Sequence, residues 1–364
     1  MKKGMDLMEL DREIIRRSNA KHDYLAPTQK LRLTSEGRLV VGDLEPLNVN
    51  SVCHEQLAEH VKIPKEYYDR MLTEAPDLLV TNVERWFTKY PAKRMIRTLD
   101  GTARAFLSDK FNTEMDNDDF AKAVVPVLKE LKLDIMSAQI TDRRLYIKAV
   151  DPKVSRELAK HGAKFGDGGH TIVTCLSPAV TISNSEVGHG SLSVQGGVYD
   201  RFCSNLGSFG ERSVRKSHVG GRHTMEDRDL YVTLTDRTKK LDAAALWSRI
   251  QDVVRATFER AKFDALCDKI EGTRADVIDP IEAVEVVKKV CKHSSIGLSE
   301  AETKATLGHF VDRGEFTRCG VFSAITRMSQ DDIVTYDRAT ELERIGAKVV
   351  ELERNEWRKL AHAA

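Results

Sequence analysis

The chain has no apolar run approaching the roughly 18 residues that crossing a bilayer requires. Its opening stretch, M-K-K-G-M-D-L-M-E-L-D-R-E, carries basic residues but no signal-peptide apolar core. Both absences predict a soluble protein of the cytoplasm with no membrane partner. Large net charge is also missing. Across 364 residues, 57 Lys and Arg meet 56 Asp and Glu, a balance of +1, which excludes coating of nucleic acid by bulk charge. The six cysteines (53, 175, 203, 267, 291 and 319) make no C-x-x-C pair, so neither a zinc ribbon nor a thioredoxin-like site is indicated and reduced thiols are expected. The P-loop, H-E-x-x-H, G-x-S-x-G and dinucleotide-binding glycine patterns are absent, as are internal repeats and low-complexity segments. No cofactor, resident metal or catalytic residue is therefore assigned.

What is present is ordinary globular material, 41% hydrophobic and 31% charged, long enough for about two domains. Residues 7–17 suggest a short helix, and 31–33 and 38–41 suggest strands around Gly37. Helices are expected over 52–60, with Ser51 as N-cap, and from Pro64 onward. The segment E-Q-L-A-E-H-V-K-I-P-K-E-Y-Y-D-R-M-L has the outline of a helix-turn-helix reader, but two packed helices of a core subdomain explain it better. Asp100-Gly101 between strand-like runs at 94–99 and 102–107 is a hairpin signal. A helix capped by Asn117 should be bent or interrupted at Pro126. Further readings are a hairpin of 133–140 and 144–150, a short helix at 154–161, and strands at 171–175, 179–183, 198–205 and 229–234.

From about residue 240 the pattern turns helical. Leu246, Ile250, Val253, Val254 and Phe258 mark an amphipathic helix over 243–270. Another helix is expected behind Asp279 and Pro280. Ser299 and Glu302 form a capping box, and a charged helix over 341–360 has Gly346 as the place it would break. The expected fold class is α+β: hairpins, antiparallel sheet and helices in 1–240, then a helical region over 241–364.

Two local concentrations of positive charge stand out against the neutral whole. In residues 198–222, Arg201, Arg212, Arg215, Lys216 and Arg222 face only Asp200 and Glu211, leaving +3. Glycines among them would let a phosphate-bearing ligand approach closely, although a solvated loop has the same letters. In residues 85–104, Arg85, Lys89, Lys93, Arg94, Arg97 and Arg104 against Asp100 leave +5. Trp86, Phe87 and Tyr90 are interleaved with them. Cations mixed with aromatics suit a single strand, whose bases stack while its phosphates pair, and equally a core of aromatics beneath solvated arginines. A different reading joins Glu186, His189, Cys203, His218 and His223 into a metal- or thiolate-dependent enzyme site; their spacing matches no compact ligand pattern.

The runs R-T-L-D-G-T-A-R-A-F-L-S-D-K-F (97–111), I-S-N-S-E-V-G-H-G-S (182–191) and R-F-C-S-N (201–205), with C-G-V-F-S-A-I-T-R (319–327) and Y-D-R-A-T-E-L-E-R-I-G (336–346), resemble the phage- and plasmid-borne family called domain of unknown function 932. The resemblance spans about residues 20–350. It implies a mobile-element protein in a bacterial cytoplasm and supplies no reaction. Phages and plasmids often carry strand-annealing recombination proteins that form rings around a basic groove, an analogy at the level of fold.

These readings converge on a non-enzymatic, homo-oligomeric protein that binds single-stranded DNA or RNA in replication or recombination. Arg94, Arg97 and Arg104 would contact phosphates from the hairpin, Arg201, Arg212, Arg215, Lys216 and Arg222 would form a second surface, and Trp86, Phe87 and Tyr90 would stack on bases. An enzyme around Glu186, Cys203 and His218, or a protein whose basic clusters meet an acidic host factor, are the alternatives.

Overall fold

The computed structural model describes residues 1–159, 161–162, 171–210, 214–216 and 235–361. The first element, α1 (Leu7–Ala20), opens on a capping box between Asp6 and Glu9. It leads into β1 (Lys21–Pro27), the short pair β2 (Leu31–Leu33) and β3 (Leu39–Val41), and β4 (Asn48–Val49). Three helices follow: α2 (Ser51–His60), α3 (Lys65–Glu74) and α4 (Pro76–Lys89). Asn50, one residue before the expected cap, accepts the Cys53 N–H and starts α2. The hairpin comes next, β5 (Lys93–Leu99) and β6 (Thr102–Ser108), with Asp100 and Gly101 both at positive φ (50° and 74°), as a tight two-residue turn requires. The four-stranded sheet has the order β1-β5-β6-β4 and is antiparallel except for β4 beside β6.

The helix α5 (Asn117–Glu130) continues through Pro126. A larger sheet contains β7 (Asp134–Ile140) and β8 (Leu145–Val150), with β9 (Arg156–Glu157) where a short helix was expected. After the small pair β10 (His161–Gly162) and β11 (Thr171–Ile172) come β12 (Cys175–Asn184), β13 (Leu192–Asp200), β14 (Leu206–Ser208) and β15 (Val214–Lys216). The order is β14-β13-β12-β8-β7, with β15 on β13 and β9 on β12. The strand expected at 229–234 lies outside the described residues.

Alternation decides what covers this sheet. Leu145, Ile147, Ala149, Val180, Ile182, Leu192 and Val194 point to one face, where they are buried with Phe120 and Val124 of α5. Leu246, Ile250 and Val254 of α6 (Asp236–Thr257) close the same core. The amphipathic run read as one helix ends there, and α7 (Arg260–Gly272) sends Phe263, Cys267 and Ile270 into a different core with Leu176 and Val198. Two destinations on the sheet require two helices. The remaining helices are α8 (Ala283–Lys292), α9 (Glu300–Arg313), α10 (Arg318–Met328), α11 (Tyr336–Glu351) and α12 (Arg354–Ala361). Gly346 does not break α11. A Cβ there would lie 2.7 Å from Thr326 Cγ2, so the glycine lets α11 cross close to α10. Residues on both sides of position 240 thus share cores, and the α+β architecture ends in helices that pack on the sheet.

Candidate nucleic-acid interface

A cleft of about 1190 Å³ opens between the α2–α3–α4 layer and the turn joining β12 to β13. Its floor is the end of the hairpin, where Arg94 enters β5 and Phe106, Leu107 and Ser108 leave β6. One wall comes from the α2–α3 connection. Lys62, at φ 57°, ends α2 by donating its N–H to Glu59, and Pro64 and Tyr67 follow. The other wall is Gly188, Gly190 and Ser191, with both glycines at positive φ. Gln56 fastens the two sides. Its Nε2 donates to Val187 O at 2.7 Å, and its Oε1 accepts the Phe106 N–H at 2.7 Å.

Arg94 is half-buried, yet no carboxylate lies within ion-pair distance among the described residues. Its Nη2 donates to His60 Nδ1 at 2.7 Å, its guanidinium sits 5.5 Å from the centroid of Phe106, and its buried Nε has no hydrogen-bond partner. Burial lowers its pKa, only partly opposed by Asp109 and Glu59 acting through space. Burial, and then the Arg94 charge, lower His60 to about 4, so the imidazole is neutral and accepts from Arg94. Beside this cation, Trp86 and Tyr90 stack on each other, 5.6 Å apart and 9° from parallel. Lys89 lies 5.2 Å from Trp86 and 5.5 Å from Tyr90. Tyr90 is 61% exposed and Tyr67 50% exposed, so apolar ring surface stays open to the cleft.

The other two hairpin arginines do something else. Arg97 is wholly buried; it pairs with Asp23 at 2.7 Å and Asp116 at 2.6 Å and donates to Glu186 O at 2.8 Å. Arg104, also buried, holds Glu186 at 3.0 Å. Lys21 completes the network on Asp116 at 2.5 Å. Burial works to raise Glu186, but Lys21, Arg104, Arg97 and the Asn117 N–H outweigh it and hold the carboxyl below its ordinary range. The expectation that Arg97 and Arg104 contact phosphates is therefore corrected: their donors are committed to carboxylates inside the protein. Phe87 is corrected likewise. It is 1% exposed and packs parallel to Phe106, 5.9 Å away, within the core.

Arg201 is exposed but donates to Ser177 Oγ and Pro152 O, both at 2.6 Å. It follows the nine-residue β13, whose other end adjoins the cleft, so roughly 30 Å of strand separates the two. The backbone of Arg215 and Lys216 pairs with Ser193 and Leu192, at the cleft end of the same strand. Arg212, Arg222, His218 and His223 lie outside the described residues. Of the residues in the enzyme reading, the described ones are not brought together. Glu186 precedes β13 and Cys203 follows it, and Glu186 is buried and already bonded to Arg104 and the Asn117 N–H. Cys203 Sγ accepts from Arg313 Nη1 at 3.1 Å, and burial pushes its thiol up rather than activating it. His189 instead faces Glu55 at 3.4 Å. Among the described residues, no three of His, Cys, Asp and Glu gather as a metal would need.

The cleft thus unites Arg94, Trp86 and Tyr90, as the basic aromatic run suggested, with His60, Lys62 and Tyr67, which were not singled out. Their signal was the helix-turn-helix-like outline. Its two helices do pack on a core through Leu57 and Tyr68, and the chain between them forms the cleft wall. No family model matches the chain, and neither a curated protein nor a solved structure matches it.

Proposed function

We propose that the chain binds single-stranded nucleic acid in this cleft. The observation that carries the reading is Arg94: a partly desolvated guanidinium with no carboxylate partner, beside a stacked and accessible Trp86–Tyr90 pair. A phosphate in the cleft would give the Arg94 guanidinium the counter-charge it lacks, while a base would extend the stack of Trp86 and Tyr90. Lys62 on the wall and Lys89 beside the Trp86 and Tyr90 rings add positive charge. The volume exceeds the usual small-ligand range of about 300–1,000 Å³, which favours a length of strand over a single nucleotide. The resemblance to phage and plasmid proteins extends the proposal to replication or recombination of a mobile element in a bacterial cytoplasm, with several copies acting along one strand.

The test is fluorescence anisotropy with labelled DNA and RNA oligonucleotides at low salt. Arg94→Gln and Tyr90→Ala should each weaken binding by about 1–3 kcal/mol, and wild-type affinity should fall steeply as salt is added. A wild-type protein with no affinity at low salt, or an Arg94→Gln variant that binds unchanged, would overturn the reading.

A further inference from the structure

On the far side of the β12–β13 turn, a separate pocket of about 130 Å³ lies between the polar face of the larger sheet and α11. Its charged and hydroxyl side chains come from Arg144 and Tyr146 on one side, Ser183 and Ser193 on the sheet, and Asp337 and Arg344 on the helix. Most of these groups are already engaged. Asp337 accepts from Tyr146 Oη at 2.8 Å and Thr141 Oγ1 at 3.1 Å; Glu341 at the rim pairs with Arg338 at 2.7 Å. Arg143, also at the rim, pairs with Glu55 at 3.0 Å, and the Ser183 and Ser193 hydroxyls lie 2.9 Å apart.

Two guanidiniums are left over. Arg144 spends Nη2 on Ser191 O at 2.5 Å, while its buried Nε has no partner. It is held against the turn, since a Cβ on Gly190 would come within 2.9 Å of its Nη1. Arg344, half-buried, makes no hydrogen bond or ion pair with any described residue, and its charge acts unfavourably on Arg144 across the pocket. Asp337 and Glu341 act favourably on Arg144 from the same pocket, but no described carboxylate bonds either guanidinium, so an anion between them and over the pair of serine hydroxyls would gain direct donors from both. The space holds a tetrahedral oxyanion and is too small for a base and sugar as well.

We propose that this pocket is a binding site for a phosphate monoester, held by Arg144 and Arg344 with Ser183 and Ser193 as further donors. Asp337 stays bonded to its two hydroxyls and sets the limit on how much negative charge the site accepts. The ligand is either the terminal phosphate of a nucleic-acid strand or a free phosphorylated small molecule. The site goes beyond the cleft reading and does not depend on it.

Titration calorimetry of the full chain with inorganic phosphate, beside an equal concentration of chloride, tests the assignment. Phosphate should bind saturably, and Arg344→Gln should weaken it at least roughly tenfold, the loss expected for one charge-assisted contact. Because Arg344 holds no partner, the variant should keep the wild-type melting temperature, so lost binding would not reflect unfolding. A second arm compares oligonucleotides with and without a 5′-phosphate. A comparable advantage for the phosphorylated strand, abolished in Arg344→Gln, identifies the strand end as the source. Phosphate binding without that advantage identifies a free phosphorylated molecule. Absence of phosphate binding, or equal binding by wild type and Arg344→Gln, overturns the site. The response of oligonucleotide binding to Arg94→Gln reports on the cleft separately.

Discussion

Arg94 and Arg97 are three residues apart on one strand and have opposite tasks, because odd spacing puts them on opposite faces of β5. Arg97 is a structural ion. Arg97→Met would leave Asp23, Asp116 and Glu186 with Lys21 and Arg104 alone, and should cost about 3–5 kcal/mol of stability in denaturant unfolding. Arg94→Gln removes one bond to His60 and should cost about 1 kcal/mol or less while abolishing most strand binding. Equal stability losses would show that burial does not separate the two roles. Charge counting along the sequence found all these arginines and could not tell them apart. The carboxylates that neutralise Arg97 lie 74 residues before it and 19 after it, a relation that only the fold creates.

At the scale of elements, local chemistry was the readable part. The Asp100-Gly101 turn, both hairpins and the Ser299–Glu302 box are where residue types require them. What alternation could not show is the β-bulge in the first hairpin. Arg97 pairs with Ala105 but Thr98 with Ala103, leaving Arg104 without a partner opposite it and turning it to the Arg97 side. The α6–α7 break was hidden for a similar reason: the apolar periodicity continues, but its two halves serve different cores. The box that begins α9 also permits a quantitative check. Ser299→Ala should cost about 1 kcal/mol. The Arg338 bonds, against some burial and aided by Ser299, lower Glu302 from the ordinary 4.5 to about 2. Its folded pKa lies below its unfolded one, so its stabilisation is complete above 4.5 and disappears as pH falls toward 2. Denaturation midpoints across that window should fall less steeply for Glu302→Gln than for wild type; parallel curves would rule the linkage out.

For the molecule as a whole, the described parts of the second basic cluster lie at opposite ends of β13. The cleft and the described backbone of β15 share one end of β13, while Arg201 belongs to the other. A network buried at Arg97, Arg104, Asp116 and Glu186, and joined from β1 by the half-buried Lys21 and the more exposed Asp23, ties the four-stranded sheet to the turn of the larger one. Separating the sheets would expose or strand all six charges at once. The jaws on either side of Arg94 are therefore riveted at the back, and a ligand must slot into a preset gap instead of being gripped by closing halves. Small-angle scattering should give the same radius of gyration with and without a bound oligonucleotide, and a measurable contraction would mean the rivet slips.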